Sequence, residues 1–265
     1  MKKLLIITQK VNKNDPILGF FHRWIIEFAQ NWDKVMVICL EKGEYDLPEN
    51  VKVLSLGKDE NVSKFKYLFN FYKYIWQERN NYDAVFVHMN PVYVVLGGLF
   101  WRVLNKKIAL WYTHKNVDWK LRVAEKITNI IFSASKESFR LESKKLQITG
   151  HGIDTEFFKS ANHPRGEYLQ ICSVARISPT KNQKIMIEVI KNLKQNGFKA
   201  KLYVAGSAIT EKDKIYENEI RELVVDEELS EDVIFVGNIL PEKMPEFLQK
   251  MDILINLSNT GSMDK

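Results

Sequence analysis

Two cations lie where a predicted strand gives way to a predicted helix in the second half of the chain. Arg176 follows an apolar run at 168–175, and Lys181 comes five residues later, after Ser178 and Pro179. Serine is a favoured N-cap and proline suits the first helical position, so a helix is predicted to begin here with Lys181 in its first turn. A helix N-terminus carries partial positive charge and binds anions. Cations at that end therefore indicate a phosphate site; the alternative is a solvated basic helix end.

Other polar and glycine residues follow the predicted strands at their carboxyl ends, where open α/β sheets bind ligands. In the first half they are Thr8, Gln9, His88, Asn90, Thr113, His114, Ser133 and Ser135. In the second half they are Gly206, Ser207, Gly237, Asn238, Ser258 and Asn259. Two such edges facing each other across a hinge would form a cleft, a usual place for a ligand. Gly206 would let backbone approach that ligand closely, or would simply form a turn.

The elements that must position these residues alternate along the chain. Apolar runs predict strands at 3–8, 35–40, 51–56, 84–87, 108–112, 129–132, 146–149, 168–175, 201–205, 233–237 and 253–257. Helical periodicity predicts helices at 20–31, 63–78, 92–104, near 136–142, near 180–195, 211–226 and 241–250. Short apolar strands alternating with helices indicate parallel sheets covered on both faces. The prediction is an α/β protein with two Rossmann-like, doubly wound domains, 1–150 and 151–265, and a hinge near 150–166.

Composition narrows the class of protein. The chain has 265 residues, 45% of them hydrophobic, and a net charge of +6, which suits anionic ligands. We find no nucleic-acid motif and no basic stripe interleaved with aromatic residues, so no nucleic-acid partner is expected. Cys39 and Cys172 lie in separate apolar runs and indicate reduced thiols in a cytoplasmic protein. The longest apolar run, 92–101, is shorter than the ~20 residues that span a bilayer.

Two segments resemble a known family. HGIDTEFF, beginning at His151, and VARISPTKN, beginning at Val174, are similar to the entry to the C-terminal domain of family-4 glycosyltransferases with the GT-B fold. The resemblance implies that Arg176 and Lys181 clamp the diphosphate of a nucleotide-sugar. It implies a retaining hexosyltransferase with a nucleoside-diphosphate-sugar donor and a glycan or lipid-linked acceptor. The donor would bind the second domain and the acceptor the first, with no metal or other cofactor.

The same resemblance assigns further residues. His114, in WYTHKN, matches a histidine beside the donor sugar and the reacting centre, although a lone histidine after a strand is often structural. Asn238, Ile239 and Leu240, in FVGNIL, match a segment whose backbone reads the nucleobase. Gly19 stands where the family uses a glycine loop to reach the donor phosphates, but the usual second glycine is missing.

The end of the chain departs from the family pattern. Ser258, Asn259 and Gly261 fall in the segment expected near the donor sugar, and Gly261 stands where the family has a glutamate. The family's second glutamate would lie beyond Lys265. We therefore expect a chain truncated within an incomplete second domain, and inactive in transfer as it stands.

Two alternative functions remain open. The same fold supports nucleotide-sugar 2-epimerases, and the missing glutamates would also suit a nucleotide-sugar-binding module without turnover.

The aromatic residues of the helix at 63–78 have two interpretations. Such stripes usually pack on a core, which we favour, but nearby lysines would also suit peripheral contact with an anionic membrane at its inner face.

Overall fold

Most strands are followed by helices from Lys3 to Leu254 in the computed structural model. The structure describes residues 1–15, 17–161 and 166–258. The chain divides into two units, Met1–Gly152 and Ile153–Lys265.

The first unit contains a seven-stranded parallel sheet. Its strands are β1 (Lys3–Val11), β2 (Lys34–Lys42), β3 (Val51–Ser55), β4 (Ala84–His88), β5 (Lys107–Trp111), β6 (Ile130–Ser133) and β7 (Leu146–Ile148), in the order β3-β2-β1-β4-β5-β6-β7. Its helices are α1 (Phe20–Asn31), α2 (Lys64–Gln77), α3 (Pro91–Val103) and α4 (Trp119–Ile127). The strand order reverses between β1 and β4, and in open α/β sheets ligands bind at such a switch point.

Both faces of this sheet are buried because successive strand residues point to opposite sides. Leu5 and Ile7 of β1 pack with residues of α2, α3 and α4, whereas Leu4 and Ile6 pack with residues of α1. The sheet therefore has a hydrophobic core on each face. The near-continuous apolar runs in the sequence, which predicted a sheet covered on both faces, supply the residues of both cores.

The second unit contains a four-stranded parallel sheet in the order β10-β9-β8-β11. Its strands are β8 (Leu169–Val174), β9 (Ala200–Ala205), β10 (Val233–Gly237) and β11 (Ile253–Leu254). Its helices are α5 (Gln183–Gln195), α6 (Glu211–Asp226) and the short α7 (Met244–Leu248). Leu202 and Val204 pack against Ile187 and Ile190 of α5 and Ile220 of α6. The predicted α/β fold with two parallel sheets is confirmed.

The helix predicted near 136–142 is wrong. This segment forms only turns and bends, in which the Ser138 N–H donates to Ser135 Oγ at 3.2 Å. Serine side chains that bond nearby backbone compete with helix formation. The helix that the sequence interpretation missed is α4, whose N-cap is Asp118. Leu121, Ala124 and Ile127 of α4 face the core at helical spacing, so the signal was present in the sequence but its short length of nine residues left it unrecognised.

The aromatic residues of α2 do not pack as predicted. Phe71 and Ile75 face the core, but Phe65, Phe69 and Trp76 are exposed. Successive helical residues rotate by about 100°, which sets the exposed rings roughly 120° away from the buried side. The helix therefore has two apolar sides, and the sheet covers one.

Candidate functional site

The carboxyl edge of the second sheet brings together most of the predicted donor-site residues. Arg176 follows β8, Gly206 follows β9, Asn238 follows β10 and Ser258 follows β11. Because the four strands are parallel and adjacent, their carboxyl ends lie on one edge.

Position 206 requires glycine because the backbone at the end of β8 lies against it. Its φ of +136° is one that side chains rarely adopt, and a Cβ there would overlap the carbonyl oxygen of Ala175 and lie 2.8 Å from the carbonyl carbon. The Gly206 N–H donates to the Gly237 carbonyl at 2.8 Å, and the Ile177 N–H donates to Ser207 O at 3.1 Å. The close approach that needs glycine is therefore between backbone segments, and it joins the ends of β8, β9 and β10.

Arg176 lies beside the N-terminus of α6. Its Nε is 4.0 Å from Asp213 Oδ2, and its side chain is about half exposed. Asp213 forms a capping box with Thr210, in which the Asp213 N–H donates to Thr210 Oγ1 at 3.1 Å and the Thr210 N–H donates to Asp213 Oδ2 at 3.2 Å. Burial acts to raise the pKa of Asp213, but the Thr210 hydrogen bonds and the Arg176 charge hold it below its usual value. Arg176 thus has a carboxylate neighbour and an accessible guanidinium.

Lys181 lies before the helix rather than in its first turn, so this part of the prediction is wrong. Pro179–Lys181 form a 3₁₀ turn, and α5 begins at Gln183. Asn182 between them is left-handed, with φ of 55°, a conformation that cannot continue a right-handed helix. Lys181 Nζ donates to Ser258 Oγ at 2.9 Å, so Lys181 is bound to the segment after β11.

Gln183 ties the start of α5 to the backbone that follows β8. Its buried side chain donates through Nε2 to the Arg176 carbonyl at 3.0 Å and accepts the Ser178 N–H at 3.4 Å. The sequence interpretation missed Gln183 and Asp213. The spacing of Thr210 and Asp213 before a helix is a capping-box signal that would have found the latter.

The segment predicted to read a nucleobase leaves the sheet after β10. Ser207 Oγ donates to Asn238 Oδ1 at 3.0 Å, which ties this segment to the end of β9. Ile239 is half-buried and Leu240 is exposed just before a 3₁₀ turn at Pro241–Lys243. Of the residues predicted near the sugar, Ser258 is buried, and Asn259 and Gly261 lie outside the described residues.

The carboxyl edge of the first sheet holds a buried histidine. His88 ends β4, its Nδ1 lies 3.1 Å from Thr8 Oγ1, and its ring stacks on Phe21 with centroids 3.9 Å apart. Burial lowers the pKa of His88 to about 3, so the imidazole is neutral at neutral pH. Beside it, Asn90 Nδ2 donates to Gln9 Oε1 at 2.7 Å. The predicted gathering of polar side chains at this edge is observed for these two pairs.

His114 and Gly19 also belong to the first unit. His114 follows β5, and its Nδ1 accepts the Asn116 N–H at 3.0 Å. A neutral His114 therefore carries its proton on Nε2, which can act as a donor. Gly19 precedes α1, and a Cβ there would lie 2.9 Å from the Lys13 carbonyl oxygen. The tight turn before α1 accounts for this glycine.

The described residues hold neither a candidate metal-ion cluster nor a candidate membrane-spanning helix. They contain no group of three or more His, Cys, Asp or Glu side chains placed to hold a metal ion. Within the same residues, no helix is long and apolar enough to cross a membrane.

Comparison with known proteins finds a family model that matches part of the chain and solved structures that share its fold. No curated protein sequence matches the chain. Among solved structures, HepE from Anabaena in complex with UDP is 16% identical with a TM-score of 0.72, over 97% of this chain and 74% of that one. A glycosyltransferase from Rickettsia africae is 13% identical with a TM-score of 0.72, over 97% and 73% of the two chains. Sucrose-phosphate synthase from Thermosynechococcus elongatus is 13% identical with a TM-score of 0.68, over 97% and 76%. The chain has the fold of these GT-B glycosyltransferases, and its residues 154–263 match the family of group 1 glycosyl transferases.

Proposed function

We propose that this protein is a retaining glycosyltransferase that transfers a hexose from a nucleoside-diphosphate sugar to a glycan or a lipid-linked acceptor. The observation that carries the proposal is the polar edge of the second sheet, where Arg176 follows β8 and Lys181 precedes α5 within the segment that matches the glycosyl transferase family. HepE, which shares the fold, is known in complex with UDP and with UDP and glucose.

Arg176 and Lys181 would bind the donor diphosphate. A guanidinium offers a planar fork of donors to phosphate oxygens, and an ammonium offers a compact charge. Cleavage of the bond between the sugar and the β-phosphate leaves negative charge on that phosphate. Fixed cations nearby stabilise this charge in the transition state and remove the need for a metal ion. Asp213 beside Arg176 and Ser258 on Lys181 hold both cations in place before the donor arrives.

His114 would act on the donor sugar, the role that the family resemblance assigns to it. Its Nδ1 accepts the Asn116 N–H, so a neutral imidazole carries its proton on Nε2, from which it would donate to a sugar oxygen. A hydrogen bond that strengthens as charge develops would raise the rate more than the donor affinity.

Binding of UDP to variants, measured by calorimetry, tests the diphosphate site. We expect Arg176→Ala and Lys181→Ala each to weaken binding by about 1–3 kcal/mol, the range for charge-assisted hydrogen bonds. Lys194→Ala is the matched control, because it removes the same charge from an exposed position in the last turn of α5, at the other end of the helix. Wild-type affinity in both test variants would contradict the proposed clamp.

A transfer assay tests the reaction itself. Product analysis by mass spectrometry and NMR should find a new glycoside with the anomeric configuration of the donor. In a complete enzyme, an epimerised nucleotide-sugar, or nucleotide binding without any turnover of donor, would contradict the proposed reaction.

A further inference from the structure

Helix α2 exposes an apolar side that the first sheet does not cover. Phe71 and Ile75 pack into the core, about a third of a turn away. The exposed side, called here the α2 stripe, consists of Phe65 (87% exposed), Leu68 (41%), Phe69 (61%), Tyr72 (42%) and Trp76 (57%). Hydration of this much aromatic surface is unfavourable, so a contiguous stripe of this kind usually marks an interaction site.

The apolar surface continues onto α3. The Tyr72 hydroxyl donates to the Leu96 carbonyl at 3.1 Å, and the Trp76 ring lies 5.8 Å from that of Phe100. Leu99 and Val103, one turn apart on α3, are also exposed. The packing between α2 and α3 therefore holds the α2 stripe in place as part of a wider apolar surface.

Cations border the stripe, and neither helix contains an acidic residue. Lys66 Nζ lies 5.3 Å from the centroid of the Phe69 ring, and the Arg79 guanidinium carbon lies 4.4 Å from that of Trp76. Lys64 and Lys73 on α2 and Arg102 on α3 are exposed as well. The surface is thus aromatic at its centre and positively charged around it.

We propose that the α2 stripe docks this protein on the surface of an anionic lipid bilayer. Its rings would enter the boundary between headgroups and acyl chains, where tryptophan and tyrosine are favoured, while the lysines contact lipid phosphates. A second copy of the chain is a poorer partner for the same surface. A twofold contact through the stripe would bring cations of one copy against the same cations of the other.

Flotation of the full chain with phospholipid vesicles tests this proposal. Vesicles of equal parts phosphatidylcholine and phosphatidylglycerol should bind the protein, and vesicles of phosphatidylcholine alone should bind it at least tenfold more weakly. Each basic residue near an anionic surface strengthens binding roughly fivefold, so Lys66→Glu with Lys73→Glu should weaken it by at least tenfold. Phe69→Ser with Trp76→Ser should have an effect of similar size, because it removes the inserted rings.

The matched control changes the same residue types elsewhere. Phe198→Ser with Lys144→Glu and Lys212→Glu removes one exposed ring and two exposed lysines, and it should bind vesicles like the wild type. Unfolding in urea identifies any variant that fails to fold. In wild-type protein, brominated phospholipid should quench the part of the fluorescence that Trp76→Phe removes.

Three results would overturn the proposal. They are equal binding to neutral and anionic vesicles, full binding by both stripe variants, and a stripe-dependent dimer that leaves vesicles unbound. The last result would instead assign the α2 stripe to a contact between copies of the chain.

Discussion

Gly206→Ala should destabilise the second unit through a close approach of backbone atoms. The carbonyl of Ala175 occupies the space into which a Cβ at position 206 would project. The carbonyl belongs to backbone next to β8 and cannot rotate away like a flexible side chain. Either the end of β8 or the end of β9 must move, and with it the hydrogen bond from the Gly206 N–H to Gly237 O.

The size of the effect follows from two contributions. A backbone conformation that only glycine adopts readily costs a residue with a Cβ about 1–3 kcal/mol. An overlap that forces backbone to shift costs about 1–3 kcal/mol more. Gly197 separates these contributions, because its φ is also positive, at +78°, but nothing lies within 4 Å of a Cβ there. We expect Gly197→Ala to cost about 1 kcal/mol and Gly206→Ala about 3 kcal/mol or more.

Hydrogen exchange of peptides from β8 and β9 measures this cost in the second unit. All six tryptophans lie between residues 24 and 119, so tryptophan fluorescence follows the first unit and serves as an internal reference. Gly166→Ala, where neither overlap nor positive φ is present, is a neutral control. Equal free energies of opening for Gly206→Ala and Gly197→Ala would refute the close approach and the strand pairing on which it depends.

Two other predictions concern histidines of the first unit. Burial lowers the pKa of His88, so its neutral form stabilises the fold in full above pH 6.5, and this contribution is lost as pH falls toward the native pKa of about 3. Between pH 6.5 and 5 we expect the free energy of unfolding, measured in urea, to fall by about 2 kcal/mol more in the wild type than in His88→Gln. If the free energy of unfolding depends on pH in the same way in both proteins, His88 is not responsible. In a complete enzyme, His114→Ala should lower turnover in a transfer assay far more than donor affinity, and an unchanged turnover number would leave His114 with a structural role.

Local sequence pattern was sufficient for most of the fold. Helices α1 and α6 begin and end where periodicity predicted them, at 20–31 and 211–226, because their apolar positions and flanking residues differ clearly from their surroundings. The strands were found as short apolar runs, since parallel strands covered on both faces need no polar side. Among the α-helices of the described residues, α4 was the one missed, because it is only nine residues long.

Which partners meet at the candidate site could not be predicted from local pattern. Lys181 reaches Ser258, 77 residues away, only because β11 pairs with β8. The helix predicted to include Lys181 begins only after Asn182, whose side chain donates to the Leu257 carbonyl in the same segment after β11. Such contacts depend on strand register, which long-range packing sets.

The sequence by itself determined the alternation of elements, the two parallel sheets and the glycines and cations at their edges, because each depends on residue type and short-range spacing. The tertiary structure decided why Gly206 must be glycine, since the oxygen it approaches belongs to Ala175, a strand away. It also decided that Phe71 and Ile75 face the core and that Phe69 and Trp76 face outward. Both sides of α2 are apolar, so only the position of the sheet and α3 selects the side that is buried.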